Sequence, residues 1–349
     1  MEGYLSSGKV INVGIIGASG YSGEELIRIL LKHSKCKINF ITSRKYSGCS
    51  ICDVFPRFAE SKLQFISPEV SDIIKSKVDV VFLALPHGLA SEYAIPLYKS
   101  GIKVIDISAD FRLNSVDKYK EYYKIDHPSP ELLDDAVYGL PEVYRESIKN
   151  SRLVACPGCY PTSIILPLVP LLKEKIIHLD GIIASSGSGV SGAGRKVDLP
   201  YIYPESNESF RAYSVSGHRH LPEIEQELAK AAGVSELAIN FIPHLVPMNR
   251  GINSTLILSL NSSVRKSISE VYENYYGHET FVRVLSKGKL SDTKHVTMSN
   301  ICEIGYSVDK RTNKLIVTSA IDNLTKGAAG QAAQCMNIMS DIDESFGLR

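Results

Sequence analysis

Lys9-Val-Ile-Asn-Val-Gly-Ile-Ile-Gly17-Ala-Ser-Gly20-Tyr-Ser-Gly23 decides how this chain folds. The apolar run up to Gly17 predicts a buried parallel strand. Glu24 to His33 then carries Leu26, Ile27, Leu30 and Leu31 at helical spacing. Strand, glycine loop and helix, in that order, are the layout of a dinucleotide site. Gly17 allows the tight turn, Gly20 lets the backbone approach a pyrophosphate, and Gly23 permits close packing of helix on strand. The helix N-terminus receives the anion. Ser19, Tyr21 and Ser22 complete the loop and join the glycines as cofactor-binding candidates. The spacing, G-x-x-G-x-x-G, matches the generic fingerprint only loosely, so its weight comes from the segments downstream.

Those segments alternate strand and helix. Lys37-Ile-Asn-Phe-Ile-Thr42 reads as a second strand and ends in Ser43-Arg44-Lys45. An NAD site places an acidic residue there for the ribose 2′-hydroxyl. A hydroxyl and two cations suit a 2′-phosphate instead, so NADP is expected, with Ser43 and Arg44 as its ligands. Val78 to Leu85 is a third buried strand, ending at Pro86-His87-Gly88 ahead of a helix from Leu89 to Lys99. Lys103 to Ser108 is a fourth. The pattern predicts an α/β fold with a Rossmann-type, doubly wound parallel sheet, whose ligands bind at the carboxyl ends of the strands. Pro86, His87, Ser108 and Arg112 fall at those ends. Arg112 has the fork geometry that suits a phosphate.

The strongest chemical candidate is Cys159, in Leu153-Val-Ala-Cys-Pro-Gly-Cys-Tyr-Pro-Thr162. Pro157-Gly158 forces a turn, and Pro161 suits the first turn of a helix running through Ile164 to Leu172. A thiol at a helix N-terminus is expected to favour its thiolate. Cys156 makes the segment a C-x-x-C as well, the layout of a thiol–disulfide oxidoreductase and an opening for a regulatory Cys156–Cys159 bridge.

Downstream, Gly181 to Ser185 reads as a strand leading into Ser186-Gly-Ser-Gly-Val-Ser-Gly-Ala-Gly194-Arg195-Lys196, a second loop facing cofactor or anion. Ser188 and Gly189 are cofactor candidates there, and Arg195 is a substrate-phosphate candidate. Gly217-His218-Arg219-His220-Leu-Pro222-Glu223 opens a helix and brings His218, His220 and Glu223 towards the thiol. Their spacing is not that of a helical zinc pair, and no metal is expected. Strands are expected at 255–260, 281–285 and 315–321, and a helix at 263–276. Together they predict an α+β catalytic and dimerisation domain with a mixed, largely antiparallel sheet. Its uncovered face calls for a partner subunit, giving a homodimer or homotetramer. Asn323, a further cofactor candidate, begins a small-residue terminal segment. The expected division is 1–158, completed by a helix over 325–349, and 159–324.

Composition excludes several classes. A net charge of +1 supplies no general attraction to nucleic acid or acidic membranes. No apolar stretch reaches the length of a membrane span, and the polar leader Met1 to Lys9 is not a signal peptide. Seven cysteines in a chain that needs no staples read as reduced thiols of a cytoplasmic protein.

Seven motifs in order carry a family resemblance: Gly17-Ala-Ser-Gly-Tyr-Ser-Gly23, Asp106-Ile-Ser-Ala-Asp-Phe-Arg-Leu113, Tyr138-Gly-Leu-Pro-Glu142, Pro157-Gly-Cys-Tyr-Pro-Thr162, Gly217-His-Arg-His-Leu-Pro-Glu223, Pro243-His-Leu-Val-Pro-Met248 and Asn323-Leu-Thr-Lys-Gly-Ala-Ala-Gly-Gln331. The chain resembles the N-acetyl-gamma-glutamyl-phosphate reductase family, within the wider group of aspartate-semialdehyde dehydrogenase. The resemblance implies an arginine-biosynthesis enzyme that reduces an acyl phosphate with NADPH through a thioester on Cys159. His220 or His218 would move the proton, and Ser108, Arg112, Glu223 and Arg195 would hold the substrate. The family pattern usually has Asn where this chain has Cys156.

Overall fold

The computed structural model describes residues 10–349; the polar leader lies outside the described residues. The first sheet has seven strands: β1 (Ile11–Ile16), β2 (Cys36–Thr42), β3 (Phe65–Ile66), β4 (Val80–Leu83), β5 (Lys103–Asp106), β6 (Ala136–Tyr138) and β7 (Leu153–Ala155). Their order is β3-β2-β1-β4-β5-β7-β6, and every pairing is parallel. Parallel sheets are covered on both faces, so their strands are apolar without alternation. β1 shows why: Val13 and Ile15 enter one core, while Ile16 joins Phe40 and Val81 in the other. Strand order reverses between β1 and β4, which opens a crevice at their carboxyl ends. The glycine loop and Pro86 stand on its two sides.

The second sheet comprises β8 (Ile183–Gly189), β9 (Arg211–Ala212), β10 (Asn240–Val246), β11 (Ile252–Ser259), β12 (Val282–Val284), β13 (Cys302–Asp309) and β14 (Lys314–Ile321), in the order β12-β13-β14-β11-β8-β10-β9. It is mixed: β8 with β10 and β12 with β13 are parallel, and the other four pairings are antiparallel. One face is covered by the helices Cys159–Lys173, Leu221–Ala232 and Ile268–Tyr276, whose Ile164, Leu168, Ile224, Leu228 and Tyr272 share a core with Leu256 and Val317. On the opposite face Ile183, Ile257 and Ile316 stand in register across three strands, each only half-buried.

The cysteine helix, Cys159–Lys173, continues through Pro167 and Pro170. Pro170 has no N–H for the Leu166 carbonyl, and the Tyr276 hydroxyl donates to that carbonyl instead. A neighbouring helix thus repairs what the proline removes.

Several boundaries differ from the sequence reading. The first helix begins at Tyr21, inside the glycine loop. Ser186 to Gly189 continue β8 as strand rather than loop, because they pair with both β10 and β11. β10 had no strand signal, since Pro243 argues against one. That proline is tolerated because its nitrogen faces β9, which is only two residues long. The helix expected over 263–276 begins only at Ile268. The terminal segment is a π-turn, Thr325–Ala329, followed by the helix Gly330–Met339, which stops short of the expected 349. Ala332, Ala333 and Met336 of this helix pack with Leu26, Ile27 and Ile105, so the chain ends against the first sheet.

Candidate active site

Between the two sheets lies a cleft of about 880 Å³ that contains Cys159. The cysteine turn is built by bonds to its backbone. β7 ends at Ala155, Cys156-Pro157-Gly158 turn the chain, and the helix starts at Cys159 with Gly158 as its N-cap. Gly158 N donates to Glu223 Oε1 at 2.8 Å. Arg112 Nε donates to the Cys156 carbonyl at 2.7 Å, and its Nη2 to Ile107 O at 2.9 Å. Glu223 also accepts from the Tyr138 hydroxyl at 2.7 Å and faces Arg112 Nη1 at 3.4 Å. Glu223 therefore stands behind the wall of the cleft, with no exposed surface. Its expected contact with substrate is corrected: its carboxylate is committed to holding the cysteine turn. Arg112 is likewise 7% exposed and spends two donors on backbone carbonyls, although its side chain reaches the cleft.

Two glycines let other groups close on the thiol. A β-carbon on Gly158 would stand 2.5 Å from His220 Nε2, and one on Gly327 would stand 2.7 Å from Cys159 Cβ. The imidazole thus lies on the backbone that precedes the cysteine, and the π-turn lies against the cysteine itself. Neither contact was legible in the sequence, because Gly327 is far from Cys159 along the chain.

The two histidines are not equivalent. The backbone N–H of His220 donates to His218 Nδ1 at 3.0 Å, which occupies that nitrogen's lone pair. His218 Nε2 faces the Tyr213 hydroxyl at 3.5 Å. In His220, Nδ1 is buried without a partner and Nε2 turns to the Gly158 backbone. Tyr160 sets its ring edge-on to both imidazoles.

Burial pushes the Cys159 thiol up to about 11, against the backbone N–H of Tyr160 and the charge of Arg112, which favour the thiolate. Removal from water thus opposes the ready thiolate expected at the helix start and outweighs the helix N–H groups. Burial also pushes His220 well below 6.5, helped by His218, Arg112 and Arg219. His218 falls to about 4 through burial and the charge of Arg219. The resting site is thus a neutral thiol beside neutral imidazoles that can accept its proton.

Cys156 points elsewhere. It is fully buried in the core of the first sheet, in the same cluster as Cys335, whereas Cys159 lines the cleft. The two thiols thus stand in different surroundings, Cys156 in the core and Cys159 on the cleft, and both are free.

The dinucleotide candidates gather along the crevice. Gly17 has φ +81°, and a β-carbon there would meet the Ala84 carbonyl at 2.4 Å. At Gly23 it would meet Ala18 Cα at 2.6 Å. Gly20, Tyr21, Ser22 and Pro86 line the cleft. Ser19 and Ser43 share a hydroxyl bond at 2.9 Å, and the exposed Arg44 bonds the Tyr93 hydroxyl beside them. From the second sheet come Ser188 and Gly189, and Asn323, which donates to Ser191 Oγ and accepts from Gly251 N. Arg195 donates to the Ser19 carbonyl at 3.1 Å and pairs with Glu24 at 3.5 Å. It is therefore tied to the glycine loop at the edge of the cleft rather than free to meet a substrate phosphate. Ser108 gives its hydroxyl to Asp106 at 2.9 Å and lines the cleft beside Arg112. A helix N-terminus, a loop whose three glycines leave the backbone bare, and flanking hydroxyls and cations fit a dinucleotide.

Comparison with known proteins agrees with this geometry. Residues 12–151 match the family model of the semialdehyde dehydrogenase NAD binding domain, and residues 159–323 that of the semialdehyde dehydrogenase dimerisation domain. The chain is 49% identical over 344 residues to an N-acetyl-gamma-glutamyl-phosphate reductase of Akkermansia muciniphila, covering 97% of this chain and 99% of the relative. It is 46% identical to one of Acetivibrio thermocellus, covering 97% of each. The fold matches aspartate semialdehyde dehydrogenase II of Vibrio cholerae, complexed with ASA, with a TM-score of 0.72 at 16% identity over 95% of this chain and 99% of that one. It also matches aspartate semialdehyde dehydrogenase with NADP from Candida albicans, with a TM-score of 0.69 at 18% identity over 96% and 100%. Near-full-length identity to these reductases, on a semialdehyde dehydrogenase fold whose cleft brings a cysteine and two histidines to a dinucleotide crevice, places the chain in the N-acetyl-gamma-glutamyl-phosphate reductase family.

Proposed function

We propose that this chain reduces N-acetyl-gamma-glutamyl phosphate to N-acetylglutamate 5-semialdehyde with NADPH, releasing phosphate, as a step of arginine biosynthesis. The observation that carries the reading is the meeting of Cys159, an unprotonated His220 and the glycine-loop crevice in one cleft. His220 takes the Cys159 proton, because the basic nitrogen of His218 is already occupied. The sulfur attacks the acyl carbon and the C–O bond to phosphate breaks, leaving a thioester on Cys159. The imidazolium returns the proton to the departing phosphate. First-turn N–H groups at Cys159 and Tyr160 would stabilise the developing oxyanion. When bound, NADPH supplies the hydride that brings the thioester to the aldehyde level. Cys159 then leaves as a thiolate and regains one proton from water, so each turnover consumes one proton.

Ser43 and the exposed guanidinium of Arg44, where an NAD site would carry a carboxylate, favour NADP. Gly17, Ser19, Gly20, Tyr21, Ser22, Gly23, Pro86, Ser188, Gly189, Asn323 and Arg195 would hold the dinucleotide. The half-buried row of Ile183, Ile257 and Ile316 is the face for a second subunit, in a dimer or a tetramer. Among the described residues no helix is long and apolar enough to cross a membrane. The reduced cysteines of the sequence reading suit a cytoplasmic enzyme. The test is reduction of NADP⁺ by N-acetylglutamate semialdehyde, with and without inorganic phosphate. Turnover without phosphate, or a preference for aspartate semialdehyde, overturns the reading.

A further inference from the structure

The cleft holds five cationic side chains: Arg112, Arg195, Lys196, Arg211 and Arg219. Four are engaged. Arg112 bonds two carbonyls of the cysteine turn and faces Glu223. Arg195 is tied to Ser19 and Glu24. Lys196 pairs with Asp198 at 2.7 Å. Arg211 donates to Pro200 O and Ser209 Oγ within its own loop. Arg219 differs: among the described residues its guanidinium has neither a carboxylate nor a carbonyl partner. Its Nη1 lies 2.8 Å from the ring nitrogens of His87, and the group stands 6.0 Å from the Tyr123 ring centroid. His87 cannot neutralise it, since an imidazole carries no negative charge, and burial with the charge of Arg219 keeps it from protonating.

Its position says which anion it awaits. Arg112 and Arg219 both line the cleft that holds Cys159 and His220, and the Arg219 guanidinium stands there over the Tyr123 ring and beside His87. The substrate in the reading above has two anionic ends. The phosphoryl group is joined through one oxygen to the carbon that Cys159 attacks, whereas the α-carboxylate sits at the far end of the chain. A doubly charged group beside the reacting carbon matches two arginines on the cysteine cleft, and Arg's planar fork suits its oxygens.

We propose that Arg219 binds the phosphoryl group of the acyl phosphate and holds the phosphate as it departs, a role that rests on the acyl-phosphate reading. The same contact captures inorganic phosphate in the reverse direction. The test measures KM for phosphate and KM for semialdehyde in the oxidative direction, in the wild type, Arg219→Ala and Arg219→Lys. Arg219 is exposed, so the variants should fold, and circular dichroism checks this. Loss of a charged hydrogen-bond partner predicts a rise in the phosphate KM of about tenfold or more in Arg219→Ala. The semialdehyde KM should stay within about twofold, and Arg219→Lys should fall between. Inorganic phosphate should also protect Cys159 from iodoacetamide in the wild type and fail to do so at the same concentration in Arg219→Ala. An unchanged phosphate KM overturns the proposal, and so does a rise confined to the semialdehyde KM, which would mark an α-carboxylate contact. Absence of phosphate-dependent turnover in the wild type overturns the reaction and this role together; a phosphate-dependent wild type with an indifferent Arg219→Ala overturns this role alone.

Discussion

The His220 ring rests on the α-carbon of Gly158, so closely that a β-carbon there would stand 2.5 Å from Nε2. Histidine and cysteine are thus brought together by the absence of a side chain on the residue between them. Gly158→Ala should move the imidazole off the thiol while Gly158, at φ −65°, keeps an ordinary backbone conformation. Turnover should fall about a hundredfold, the scale of a misplacement of roughly 1 Å. An unchanged kcat in a variant with wild-type circular dichroism would show that this contact does not position the base.

The neutral thiol has a pH signature. With burial holding Cys159 up to about 11, the free enzyme's alkylation rate should rise close to tenfold per pH unit from 7 to 10. A plateau below pH 8 in a stopped-flow iodoacetamide titration would restore the helix-dipole expectation.

The histidines should be silent where histidines usually titrate. His218, pushed down to about 4 by burial and Arg219, and His220, also depressed, should show no proton NMR titration between pH 6 and 8. Unfolded histidine binds its proton near 6.5, so the unfolded chain holds more protons between about pH 4 and 6.5. Stability should therefore rise with pH across that window and gain nothing further from these groups above it. Urea midpoints at pH 4.5, 5.5 and 7 measure the slope, and a flat profile contradicts the burial argument.

A buried ion pair fastens the C-terminal segment. Lys326 donates to Glu142 Oε1 at 2.6 Å, and both side chains have no exposed surface. Glu142→Gln leaves the ammonium in the core without its counter-charge and should cost about 3–5 kcal/mol of unfolding free energy. The double change Glu142→Leu with Lys326→Met should recover much of that loss, since a buried pair and an apolar replacement differ little. Denaturant unfolding of the three proteins decides it; equal losses in single and double variants would count against the pairing.

The line between what was readable and what was not tracks contact range. The first sheet was legible because its strands are buried on both faces and read as unbroken apolar runs, as Val80–Leu83 does. The second was harder. Asn240–Val246 carries a proline whose harmlessness depends on a neighbour only two residues long, and Cys302–Asp309 alternates apolar with polar residues but carries Gly305, a residue strands disfavour.

Sequence by itself determined the doubly wound nucleotide sheet and the placement of Cys159 at a helix start, since each is written in local spacing and turn chemistry. Tertiary structure alone decided the protonation of the site and the duties of its charged groups. Glu223 and Arg112 bond the cysteine turn, Arg195 bonds the glycine loop, and Arg219 lies on the cleft with no carboxylate partner among the described residues. Those assignments depend on which carbonyls, carboxylates and waters remain within a few ångströms once distant segments meet, and burial, which sets the charge of thiol and imidazole, exists only in the folded chain.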